Sequence, residues 1–336
     1  MSEKMKAAVV TSPGEIEIQE VEKPEPGPEE VLIEVEASSV CHSDKYAVEG
    51  SRPEAEFPRT PGHEVIGVID ETGAEVSGWD EGERVGVGWH GGHCFHCEQC
   101  RRGNFIKCEN QEITGLTRDG GHAEYMAARQ EALAEVPEEL DSPEAAPLMC
   151  AGVTTFNGLR HTDLDPGDTV AVLGIGGLGH LGVQYASDSG YETVAISHSD
   201  KEDYARELGA DHFINSSRED VSQRLQELGG ADALLSTAPV KEAIENGIEG
   251  LGVEGEATVV GVPGKDIELS VGQLVAKSAS VSGHSSGTAR DSQDTLEFSA
   301  REGITPEIER YDLEDYEKAY EDMMNGDVRF RAVLMP

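Results

Sequence analysis

Short apolar runs broken by Pro and Gly turns mark the amino-terminal part of the chain, and the runs at 7–10, 31–35 and 65–69 predict strands. Between them lie turn-rich segments such as Pro24-Glu25-Pro26-Gly27-Pro28. From about Gly152 the pattern changes. Strand-like runs at 170–173, 193–196, 233–236, 258–262 and 280–281 now alternate with helix-like segments such as 201–208. That alternation builds a doubly wound parallel sheet with helices on both faces. The 336 residues therefore predict an α/β protein of two domains, one of them β-rich.

The run at 169–173 leads directly into Gly174-Ile175-Gly176-Gly177-Leu178-Gly179 and then into an amphipathic stretch through Ala186. Glycines spaced G-x-G-x-x-G also occur in turns of no function. A strand before and a helix after give them meaning: a tight turn, close backbone approach, and a pyrophosphate at the helix N-terminus. The next strand ends in Ser197-His198-Ser199-Asp200-Lys201. An acidic residue at that strand end would accept hydrogen bonds from a ribose 2′-hydroxyl, as NAD-specific domains require. Here Ser197 occupies the position with Lys201 nearby, which predicts NADP(H) in preference to NAD(H). Asp200 argues the other way.

Four of the six cysteines are packed as Cys94, Cys97, Cys100 and Cys108, a spacing at which four thiolates close one tetrahedral zinc site. A disulfide or redox reading fits less well, because short-spaced thiols here alternate with polar and basic residues and no secretory segment is evident. His93 and His96 lie in the same run as alternative ligands, ranked below the thiolates. Cys41, His63 and Cys150 are each unremarkable alone, since a lone buried Cys or His is commonly structural. As a set, two thiolates and one imidazole leave a fourth position on a metal open.

Charge narrows the partners. With 66 acidic against 26 basic side chains the net charge is −40, so a phosphate backbone would be repelled and nucleic acid is excluded as a partner. The 37% apolar content and the 39 glycines spread along regular segments argue for a folded chain rather than acidic disorder. So large an excess repels itself at low ionic strength, which predicts a halophile cytosol; an acidic protein of an ordinary cytosol is the alternative. No apolar stretch reaches bilayer length and the amino end does not read as a signal peptide. The expected location is cytoplasmic, without membrane.

These residues together resemble the zinc-dependent medium-chain alcohol dehydrogenases over nearly the whole chain. The resemblance is carried by the cysteine and histidine positions, by Gly62-His63-Glu64 with the apolar run after it, by Gly152-Val153-Thr154-Thr155, and by Arg331-Ala332-Val333-Leu334. It implies a GroES-like β-rich catalytic domain at 1–151 and 294–336, a Rossmann domain at 152–293, and an active site in the cleft between them. It implies two zinc ions: a catalytic one on Cys41, His63 and Cys150, with Glu64 as an alternative ligand, and a structural one on the four clustered cysteines. Ser43 would begin a proton relay, Asp44 would orient His63, and Trp89 would narrow the substrate pocket. For Asp44 and Glu64 an ordinary surface role, and for Trp89 plain packing, are the alternatives. His42, Thr154 and Arg331 join the glycine loop, Ser197, His198 and Lys201 around the cofactor. Many relatives carry a histidine where this chain has Tyr46, so the relay beyond Ser43 does not transfer.

The activity implied is interconversion of a small alcohol with an aldehyde or ketone by hydride transfer, in a homo-oligomer, a tetramer before a dimer. A sugar or polyol dehydrogenase of the same superfamily, or a non-catalytic zinc and nucleotide-binding protein, are the competing readings.

Overall fold

A computed structural model describes residues 3–336. The chain forms two compact units, one running to Val153 and resuming at Gly287–Pro336, the other Thr154–Ser286.

The first unit is built on a seven-stranded sheet. In order it runs Ile308–Asp312, Arg331–Met335, Glu30–Val40, Val65–Thr72, Arg84–Val87 and Leu133–Glu135, with Tyr125–Arg129 also paired to Glu30–Val40. Glu30–Val40 shows why the sequence makes a strand here. Val31, Ile33 and Val35 face one core with Val65, Ile69 and Val85, while Glu34 and Glu36 point out to solvent. This is the period of two that pleating imposes. Removing a fully buried side chain such as Ile33 to Ala would cost about 2–5 kcal/mol. An antiparallel hairpin, Lys4–Ser12 with Glu15–Glu22, flanks the sheet, and its second strand was not anticipated because its alternation is mostly of glutamates.

The second unit is a six-stranded sheet whose hydrogen-bonded pairs are all parallel. Numbering its strands in chain order gives 3-2-1-4-5-6, with Thr169–Leu173 and Ala231–Ser236 side by side at the centre. The order reverses between those two, which makes the switch point where open α/β sheets bind ligands beyond their carboxyl ends. Thr169–Leu173 is buried along its whole length, as a strand covered on both faces must be.

Three expectations need correction. The fifth strand is Leu251–Val259, not 258–262. After Val259 the chain turns so that Val260 and Gly261 both donate to the Ser236 carbonyl, and Pro263 follows. The short strand His212–Asn215, with only Phe213 and Ile214 apolar, was missed. The return to the first unit comes at Gly287 rather than at 294, because 294 lies inside the helix Ala289–Glu302, which packs as one element with Leu296 fully buried.

Candidate active site

Strand pairing brings the first candidate ligands together. Glu30–Val40 lies antiparallel to Val65–Thr72 with Ser38 opposite Val65, and Ser39 N donates to the Glu64 carbonyl at 2.8 Å. Cys41 follows the first strand and His63 precedes the second, so adjacent strand ends place residues far apart in sequence side by side. Gly62 has φ +102 and touches a neighbour so closely that a Cβ would lie 2.6 Å from His122 Nδ1. No other residue fits there. Cys150 arrives at the end of the short turn Ala146–Met149. One ligand atom from each of Cys41, His63, Glu64 and Cys150 lies within 4.8 Å of the others.

The buried hydrogen bonds fit a metal at this cluster. His63 Nδ1 lies 2.9 Å from Asp44 Oδ1, while His63 Nε2 is buried with no hydrogen-bond partner. Because the carboxylate only accepts, Nδ1 donates to it; Nε2 is then the nitrogen a metal would bind, displacing the proton that, against its burial, Asp44 and Cys41 favour on this ring. Asp44 also accepts from Cys41 N at 2.8 Å and faces His122 Nε2 at 3.4 Å. Burial opposes its charge, yet the His63 and His122 contacts hold its carboxyl far below the usual range. Its hydrogen bond to Cys150, aided against burial by the charge of His63, holds the Cys41 thiol well down; that same bond and burial push Cys150 well up. Two thiols this close share a proton unless a cation replaces it.

Glu64 is fully buried. One carboxylate oxygen pairs with Arg331 and the other, Oε1, has no partner. Burial raises this carboxyl to about 7 despite Arg331. Arg331, expected at the pyrophosphate, is only 3% exposed and spends Nη2 on Glu64 and on Ser39 Oγ at 3.3 Å. Ser43 is half-buried, and His42 on the same turn faces solvent. Trp89 stands edge-on to the His63 ring at 4.9 Å between centroids, and Tyr46 packs on Trp89 at 6.4 Å.

The four clustered cysteines form a second centre. Cys94 and Cys108 sulfurs are 3.6 Å apart, Cys97 and Cys108 3.8 Å, and Cys94 and Cys100 4.0 Å. A tetrahedron with metal–sulfur bonds of about 2.3 Å has edges of about 3.8 Å. Backbone amides of Cys94, Cys97, Cys100 and Asn110 point at these sulfurs at 3.3–3.5 Å. Backbone donation at His96 and Cys97 lowers the Cys94 thiol to about 5, whereas burial and the neighbouring sulfurs push Cys100 up to about 12. Neither alternative histidine joins the cluster: His96 bonds the Cys94 carbonyl and His93 turns to His90.

In the second unit the glycine loop leaves the carboxyl end of Thr169–Leu173 and opens the helix Gly179–Asp188. Gly174 has φ +96, and a Cβ on Gly179 would sit 1.7 Å from the Gly174 carbonyl, so helix and loop close only with glycine at both. A Cβ at Gly176 would meet nothing within 4 Å, leaving open space over the loop. Lys201 Nζ holds the Ile175 carbonyl at 2.6 Å from the next strand end. Ser197 is buried and its hydroxyl accepts from Ser199 N at 3.3 Å. His198 is exposed, and Thr154 is buried at the start of the unit. Asp200 pairs with Arg218 at 3.5 Å.

Two family models match this chain: the alcohol dehydrogenase GroES-like domain over residues 27–138 and the zinc-binding dehydrogenase model over 177–301. An alcohol dehydrogenase of Penicillium expansum is 45% identical over 318 residues, spanning 94% of this chain and 93% of that one. The chain belongs to the zinc-binding medium-chain alcohol dehydrogenase family. Two solved structures of the family match closely. The CAD of Helicobacter pylori complexed with NADP(H) superposes with TM-score 0.88 at 27% identity, covering 100% and 99% of the two chains. An NAD-dependent alcohol dehydrogenase superposes with TM-score 0.91 at 26% identity, covering 99% and 100%.

Within this family fold, sequence reasoning missed His122, Ser38 and Arg218. His122 follows two glycines in an otherwise ordinary strand entry, and nothing local links it to Asp44. Arg218 sits beyond the strand that was missed, so its meeting with Asp200 was invisible. Among the described residues no helix is long and apolar enough to cross a membrane.

Proposed function

We propose that this chain is a zinc-dependent alcohol dehydrogenase that interconverts small alcohols with aldehydes or ketones, using NADP(H) in preference to NAD(H). The observation that carries the reading is the unpartnered His63 Nε2 beside the Cys41 and Cys150 sulfurs. Two sulfurs, one imidazole and an open position suit catalytic zinc, and the four-thiolate lobe suits a structural one. Zinc at the first centre supplies a Lewis acid that polarises the substrate oxygen.

The chain's own residues do the rest. Cys41, His63 and Cys150 hold the ion, and Asp44 fixes the His63 tautomer. Glu64, kept back by Arg331, offers a further carboxylate oxygen. Ser43, on the turn after Cys41, takes the substrate proton and passes it to water, since Tyr46 is packed on Trp89 and cannot carry it as histidine would. Trp89 forms one wall of the substrate pocket. His42, Thr154 and the loop Gly174, Gly176, Gly177, Leu178 and Gly179 would hold the cofactor, whose nicotinamide would supply the hydride chemistry, while Arg331 is taken up by Glu64 instead. Ser197, His198 and Lys201 accommodate a 2′-phosphate, and the Arg218 contact supports this by drawing the Asp200 carboxylate aside.

The exposed edge strand Ser280–Gly283, with Val253, Val271 and Val275 exposed nearby in the same unit, supports assembly with further copies, a tetramer before a dimer. The −40 charge supports a salt-rich cytoplasm.

Metal analysis together with reduced-nicotinamide absorbance over primary alcohols, secondary alcohols, aldehydes and sugars tests the reading. Two zinc ions per chain are expected, with Cys41→Ser losing one of them and all activity, and Cys94→Ser losing the other. Full activity in Cys41→Ser, or turnover of sugars alone, would overturn it.

A further inference from the structure

Asp44 does not stand alone behind His63. Its Oδ2 faces His122 Nε2 at 3.4 Å, and His122 Nδ1 lies 2.8 Å from Ser38 Oγ. The His122 ring is completely buried and clamped on its remaining sides. Gly62 lies against its Nδ1 edge, and the Tyr316 ring packs on it at 4.7 Å between centroids. The backbone around it is pinned as well, since His122 N donates to Pro61 O at 3.0 Å and Ala8 N donates to His122 O at 2.8 Å.

We infer that His122 is a positioning residue of the metal centre, orienting the Asp44 carboxylate that in turn fixes the His63 ring. The inference rests on the proposed zinc at Cys41, His63 and Cys150. A carboxylate has no donor of its own, so both nitrogens facing Asp44 donate to it. In the neutral ring the second nitrogen of His122 accepts from the Ser38 hydroxyl, which sets the tautomer. The result is a continuous line from Ser38 through His122 and Asp44 to His63, with every member buried and each bond fixing the direction of the next. Without His122, Asp44 Oδ2 keeps only the Cys41 amide at 2.8 Å, and the carboxylate can rotate away from the Nδ1 it must face. A buried acceptor left short of donors also carries an uncompensated desolvation cost. Groups that orient a ligating histidine typically matter by about 10–100-fold in metal affinity. One step further out, His122 should act at the lower end, about tenfold.

The experiment follows zinc release into a competing chelator from the zinc-loaded full chain. Two phases are expected, and Cys41→Ser identifies the one belonging to the Cys41 centre by abolishing it. His122→Phe keeps the ring and removes the donor. It should speed that phase about tenfold and leave the four-thiolate phase unchanged, which also shows the fold intact. His122→Gln, which keeps an amide donor, should stay nearer the parent than His122→Phe. In an Asp44→Asn background His122→Phe should add nothing, because the carboxylate it acts through is gone. An unchanged release rate in His122→Phe overturns the inference. So does the same acceleration in both backgrounds, or loss of both phases together, since each would mean that His122 supports the fold rather than Asp44. Cys41→Ser that keeps both phases would overturn the zinc reading itself.

Discussion

Replacing Glu64 with Gln should destabilise the first unit strongly, because it strands a buried cation. Arg331 is 3% exposed, Glu64 is wholly buried, and among the described residues Glu64 is the one carboxylate Arg331 touches. Ser39 Oγ at 3.3 Å is a neutral acceptor and cannot replace the charge. Breaking one side of a buried pair costs about 3–5 kcal/mol, since the remaining charge keeps its desolvation penalty and loses its partner. Gln retains a carbonyl oxygen that Arg331 can use, so the lower end, about 3 kcal/mol, is expected. For a unit of this size that is a fall in Tm of roughly 6–12 °C. Both tryptophans, Trp79 and Trp89, belong to the first unit, so tryptophan fluorescence reports its unfolding selectively. Measurements belong above the value of about 7 to which burial raises the Glu64 carboxyl, so that the parent pair is charged. The double variant Glu64→Gln with Arg331→Met removes the cation too and should recover most of the loss. A single variant within about 1 kcal/mol of the parent, or a double variant no more stable than the single, would refute the argument.

Two further outcomes follow from the geometry. Burial, helped by His93, pulls the His90 imidazole down to about 4 from an ordinary 6.5, so the unfolded chain binds more protons between those values. Stability should therefore fall as pH drops through that window, by up to roughly 3 kcal/mol from this residue; His90→Gln should flatten that part of a fluorescence melting profile, and an unaltered profile would count against the assignment. Ser197→Asp should shift cofactor preference from NADP toward NAD by on the order of 2 kcal/mol through repulsion of a 2′-phosphate. Catalytic efficiency with each cofactor checks it, and a parent preferring NAD by about tenfold, 1.4 kcal/mol, would show that Asp200 reads the ribose after all.

The four-cysteine cluster was legible because its chemistry is local: four cysteines within one short run stand out as a candidate metal site whatever the fold. Cys41 and His63 were legible only as members of a family pattern, since what joins them is the register between two strands, with Ser38 opposite Val65. The glycine loop was legible because Gly174 and Gly179 have a steric reason that such a tight strand-to-helix turn imposes. What stayed hidden depends on long-range packing. His122 lies 78 positions from Asp44 and Arg331 lies 267 from Glu64, and no periodicity encodes either meeting. Strand ends were misplaced where an apolar run continues past the sheet, as at Val260 and Val262, because hydrophobicity persists after the hydrogen bonds have turned elsewhere. The helix that contains Asp294 begins earlier because Thr288 and Asp291 cap it reciprocally, a signal present in the sequence and passed over.

The acidic surface makes the broadest test. Folding gathers a net −40 onto a closed surface, and several of the cations are already committed: Arg118 pairs with Glu30 and Glu112, Arg59 with Asp119, and Lys6 with Glu314. An exposed pair such as Lys6 with Glu314 contributes little, and none of these pairs does anything for the carboxylates beyond it. The excess must be screened by ions in solution. The Debye length falls from about 10 Å at 0.1 M salt to about 3 Å at 1 M, so neighbouring carboxylates that repel each other in dilute buffer hardly interact in molar KCl. Stability should rise steeply with the first additions of KCl and then level off as the screening length drops below the spacing of the charges. A gain that continues without levelling would instead mean that the carboxylates recruit hydrated cations as specific ligands. Sucrose, which strengthens burial without screening charge, should not reproduce the early rise. Fluorescence melts across the KCl series decide the matter: equal stability in dilute and molar salt would show that the folded chain tolerates its charge unaided, and would remove the inference of a salt-rich setting while leaving the metal centres untouched.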